Sequence, residues 1–82
     1  MATREQNERR FKHWQNLPEG GRRYWTDRLG AISGFQRMIK VVSIDETTLQ
    51  IVQEIYNDKG VLIERHQKYP VDTGHEPLVD KA

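Results

Sequence analysis

The sequence predicts an α+β fold: an N-terminal helix packed on a three- or four-stranded antiparallel β-meander, with an irregular C-terminal tail. Three observations predict it. The chain opens on a polar segment with capping-box spacing, Thr3 to Gln6. Two later runs, "GFQRMIKVVSI" and "TLQIVQEIY", are rich in β-branched residues, as strands are. Between the second of these and "VLIERHQKY" lies "YNDKGV", a hairpin turn by composition.

Each element follows in order. No proline or glycine interrupts the chain before Pro18, and Phe11, Trp14 and Leu17 recur at three-residue steps, which places a helix over about residues 4–15. "LPEGG" ends it. "RRYWTDRL", residues 22–29, reads as a strand with Trp25, Asp27 and Leu29 on one side and Tyr24, Thr26 and Arg28 on the other. A short helix stopped by Gly30 competes with that reading, but aromatic residues after two glycines favour the strand. Strands over 34–44 and 48–57 flank the turn "DET". Asn57 then starts a type I turn, Gly60 takes the positive φ at its end, and a return strand covers 61–69. Residues 70–82 form the tail.

A loop of Asp58, Lys59 and Gly60 sets the register, with Asn57 opposite Val61, Tyr56 opposite Leu62 and Ile55 opposite Ile63. Continuing outward, Glu54 faces Glu64, Gln53 faces Arg65 and Val52 faces His66. Leu49, Ile51, Ile55 and Ile63 then share a core face with Tyr69 at its end; pairing Ile44 with Leu49 adds Val42 and Met38. The other face carries Arg37, Ile39, Val41, Val52, Glu54, Tyr56, Leu62, Glu64 and His66. Opposed glutamates are unfavourable unless a cation separates them. Arg37 on a solvated face is the simpler remedy; a metal or acid–base site built from Glu54, Glu64 and His66 is the alternative. Both faces carry apolar residues and one helix covers one face, so the other is covered either by Trp25 and the tail or by a protein partner, such as a second copy of the chain.

Eighty-two residues make one domain, and with no cysteine there is neither a disulfide nor a thiolate metal site. No apolar run approaches the roughly 20 residues that span a bilayer, and "MATREQNERRFKHW" is too charged for a signal peptide. A cytoplasmic protein with no membrane contact is expected. Charge is uneven. Residues 1–40 hold nine basic and four acidic residues, net +5, and residues 41–82 hold four and eight, net −4. That asymmetry fits either mutual neutralisation in the fold or an anionic partner for the first half.

Phosphate loops, dinucleotide fingerprints, nucleophile elbows and metalloprotease motifs are absent. His13, His66 and His75 have no ligand spacing, so no cofactor is predicted. "GGRRYW" offers Arg22, Arg23 and Trp25, with Arg37, as partner-binding candidates. Nucleic acid is a less favoured partner than protein, because the chain as a whole is nearly neutral. The leading expectation is a non-catalytic binding or interaction domain. The alternative is a small metal-independent ribonuclease or toxin-like, RNA-directed protein, with His66 as base, His75 as acid and Arg37 as cation.

The run "QEIYNDKGVLIERHQKYPVDTGHEPL" resembles the ending of small uncharacterised bacterial proteins, including toxin–antitoxin-associated ones of the TumE type. They too place a charged hairpin before a loop with Asp and His. The resemblance covers about a third of the chain. It implies a bacterial source and, at most, an RNA-directed activity; no catalytic residue is carried over from it.

Overall fold

The computed structural model describes residues 2–30 and 34–77. Its elements are helix α1 (Arg4–Arg10) and strands β1 (His13–Asn16), β2 (Arg22–Leu29), β3 (Phe35–Val42), β4 (Thr48–Tyr56), β5 (Leu62–Tyr69) and β6 (Gly74–Pro77). All six strands form one sheet in chain order, each antiparallel to its neighbours. The α+β class and the meander are as expected. The sheet is larger than expected, six strands rather than three or four.

The capping box forms in both halves: the Gln6 amide donates to Thr3 Oγ1 at 3.2 Å, and the Thr3 amide to Gln6 Oε1 at 2.9 Å. The helix nevertheless ends at Arg10, not near residue 15. Phe11 turns extended, with φ −109° and ψ 130°, and its ring drops onto Tyr24 at 5.7 Å between centroids. Residues 13–16 then pair with β2 as an edge strand. A short helix with so narrow an apolar stripe is marginal in water. Pairing with β2 satisfies the same backbone groups and covers a sheet edge.

Three hairpins close alike. Leu17, Ser43 and Asn57 donate their amides to the carbonyls of Gly21, Thr47 and Val61 at 2.8, 2.9 and 3.0 Å. The last loop residues, Gly20, Glu46 and Gly60, have positive φ of 95°, 67° and 77°. The turn expected at Gly60 is therefore present.

Registers depart from expectation in two strand pairings. Between β3 and β4, Lys40 faces Ile51 and Met38 faces Gln53, a two-residue shift that leaves every side chain on its expected face. Between β4 and β5, Tyr56 faces Leu62 but Ile55 faces Glu64, so Ile63 is the extra residue. Beyond it Glu54 faces Arg65, Gln53 faces His66 and Val52 faces Gln67. The glutamates are not opposed. The bulge puts opposite charges side by side and moves Glu64 and His66 to the helix-bearing face.

Phe11, Tyr24 and Val42 are the buried cluster under the helix, with Met38 against it. Ile39 and Val52 are buried on the opposite face, which no described element covers. Leu49 and Ile44, expected in the core, are 49% and 71% exposed, because the short helix reaches only the β2–β3 part of the sheet. The tail is not irregular throughout. Its turn contains a cis Tyr69–Pro70 peptide, and residues 74–77 return along β5. Among the described residues no helix is long and apolar enough to cross a membrane.

Candidate functional site

Because α1 covers only one end of the sheet, a groove runs beside Phe11 over the remaining helix-side surface. It has two lobes that share Arg10, Phe11 and Met38. One, of about 190 Å³, is bounded by Thr26, Arg28 and Gln36. The other, of about 240 Å³, is bounded by Lys40, Ile51 and Lys68. The floor is apolar and the rim carries Arg10, Arg28, Lys40 and Lys68. None of these four cations makes an ion pair with a carboxylate among the described side chains.

Behind Lys40, away from the groove, lies a polar network under the helix. Lys40 Nζ donates to Asn7 Oδ1 at 3.0 Å, and Asn7 Nδ2 donates to Glu46 Oε2 at 2.9 Å. Tyr24 OH donates to the same oxygen at 2.9 Å, while Arg4 Nε donates to Glu46 Oε1 at 2.9 Å. Burial alone would raise the Glu46 pKa, but the hydrogen bonds from Arg4, Asn7 and Tyr24 outweigh it, so the carboxyl lies below its ordinary value. Lys40 is pushed below its ordinary value by burial and by the neighbouring Arg10. Glu46 and Asn7 were not among the residues singled out in the sequence. One signal does exist: Glu46 holds the loop position that glycine holds in the flanking hairpins.

The partner-binding candidates divide between faces. Arg22 is buried on the helix side, paired with Glu8 at 2.6 Å, bonded to Asn16 Oδ1 at 2.9 Å and stacked over Trp14 and Tyr24. Arg23, Trp25 and Arg37 share the helix-free face. There Arg23 lies over Trp25 at 5.0 Å, and His13 stacks on the same indole. Arg37 lies over Phe35 and Tyr56, themselves stacked at 4.6 Å, and forms a two-point pair with Asp27 at 2.8 and 3.1 Å. Tyr56 OH donates to Glu54 Oε1 at 2.8 Å; burial and that carboxylate raise the phenol's pKa.

The metal candidates are not brought together, since Glu54 occupies the helix-free face and Glu64 and His66 the other. No group of three His, Asp or Glu residues among those described is placed to hold an ion. The catalytic candidates divide too. His66 Nε2 meets Asp72 Oδ1 at 2.5 Å, and Asp72 also accepts from the Gly74 amide at 2.9 Å, which with His66 holds its carboxyl below its ordinary value. His75 stands directly opposite His66 in the β5–β6 register. Arg37, the expected cation, is on the far face. Lys68 borders the groove on the same face as His66. Compared with known proteins, the chain matches no family model, no curated protein and no solved structure.

Proposed function

We propose that this chain is a non-catalytic binding domain whose ligand is single-stranded nucleic acid, held in the groove beside the helix. One observation carries the reading: four cations that make no ion pair among the described side chains rim an apolar floor. Phosphates would neutralise Arg10, Arg28, Lys40 and Lys68, releasing counterions. Bases would lie against Met38 and Ile51, with Thr26 and Gln36 able to hydrogen-bond base edges. The lobes are smaller than the roughly 300 Å³ where drug-sized pockets begin, which suits a strand threaded along the sheet. Three of the four cations come from the basic first half of the sequence. Fluorescence anisotropy with labelled RNA and DNA oligonucleotides tests it. Lys40→Ala with Lys68→Ala should weaken binding on the order of tenfold. Absence of binding at low salt, or binding indifferent to both changes, would sink the reading.

A second reading has its own support in β6, which brings His75 opposite His66. In an RNA-cleaving protein His66 and His75 would share the two proton transfers, one from the 2′-hydroxyl and one to the leaving oxygen. Lys68 would replace Arg37 as the cation. Cleavage of a labelled RNA by the wild type and its loss in His66→Ala would establish this reading; an intact oligonucleotide that stays bound would leave the first.

A further inference from the structure

On the helix-free face one cross-strand row alternates in sign: Asp27 on β2, Arg37 on β3, Glu54 on β4 and Arg65 on β5. Read backwards, the row is its own complement. We infer that this face docks a second copy of the chain, across a two-fold axis that runs parallel to the strands between β3 and β4. Such an axis turns the row end for end, so Asp27 meets Arg65 of the second copy and Arg37 meets its Glu54. Both charged contacts of this row are then attractive, and each is made twice, as an isologous interface requires.

The flanking rows agree with that placement. One reads Trp25, Ile39, Val52, Gln67, and the other Leu29, Phe35, Tyr56, Leu62. The same rotation sets Ile39 against Val52 and Phe35 against Tyr56 of the second copy. It also sets Leu29, 86% exposed in the single chain, against Leu62. Aromatic and arginine side chains are what protein interfaces concentrate. Arg37 is already held over the Phe35–Tyr56 pair, at 5.7 and 5.4 Å, so little ordering is left to be done on docking. The four charges sum to zero, which favours a matched protein surface over a polyanion on this face. The inference is independent of the groove, which lies on the other side of the sheet.

Light scattering on size-exclusion fractions of the whole chain, over a dilution series, tests it. The wild type should show twice the monomer mass, falling toward monomer on dilution. Arg37→Glu sets like charges against each other across the interface and should give monomer. Adding Glu54→Arg should restore the dimer, because a row of two negative then two positive charges is again its own complement. Within a single chain the double change gives no net repair: the 37–54 pair attracts again, but position 37 still repels Asp27 and position 54 now repels Arg65. A row that served only the monomer would therefore show no recovery. Arg65→Glu alone and with Asp27→Arg repeats the design should the first pair fail to fold. A wild type monomeric at every concentration, or folded double variants that stay monomeric, would overturn the inference.

Discussion

Glu46 sits at φ 67°, where an L-residue with a Cβ is strained by about 1–2 kcal/mol. Glycine would remove that strain and lose the carboxylate, which accepts from Arg4, Asn7 and Tyr24 and so fastens α1 to the sheet. The side chain is 10% exposed, so its partners act with little screening by water. Because its folded-state pKa lies below the ordinary value, the stability it contributes is complete above the unfolded pKa. That contribution is lost as pH falls through the folded value. In urea melts, wild-type stability should therefore drop once pH falls below about 4.3, the ordinary glutamate value. Glu46→Gln should be less stable at neutral pH by about 1–3 kcal/mol, because an amide cannot accept all three donors. It should also lose much of the acid dependence. Asp45 and Asp72 are also shifted down, but they lie at the surface and contribute little of it. Equal acid profiles for the two proteins would refute the assignment.

At the scale of elements, the hairpins separate backbone conformation from space. Gly34 and Gly60 both have positive φ, 72° and 77°. A Cβ at Gly60 would meet nothing within 4 Å, whereas one at Gly34 would stand 2.0 Å from the Tyr56 carbonyl oxygen. Gly60→Ala should cost about 1 kcal/mol of conformational strain. Gly34→Ala must in addition push β3 from the end of β4, and should cost about 3 kcal/mol or more. Chemical denaturation of the two variants compares them directly, and equal losses would contradict the close approach. The Gly60 turn was legible because its residues act locally. The end of α1 was not. Phe11 leaves the helix to cover Tyr24, a residue thirteen positions away whose location depends on β2. β6 was equally hidden, since "DTGHEP" has little strand character and pairs only because the 68–73 turn aims it along β5.

For the whole molecule, the uneven charge along the chain resolves into two different surfaces. The helix side gathers Arg10, Arg28, Lys40 and Lys68 around one groove, while the opposite face alternates charge in a neutral row. A single strand that neutralises all four groove cations should show log K falling against log salt with a slope of about −3. Anisotropy titrations at several salt concentrations measure it. Replacing one of the four by alanine should flatten the slope by about 0.7. A slope near zero would mean that the groove holds no phosphate.

The sequence by itself determined the class of fold, the capping box, the strand at 22–29 and the Gly60 hairpin. Each of these rests on side chains acting on their own or adjacent backbone. Only the tertiary structure decided which side chains of β5 share a face with β4 beyond the first hairpin pair. One extra residue at Ile63 reverses the positions from Glu64 to Gln67 on β5, carrying His66 to the groove side and Arg65 opposite Glu54. A bulge has no local signature here. It is favoured by what it brings together across the sheet, an attraction in place of two opposed glutamates, and that energy exists only once the strands are paired.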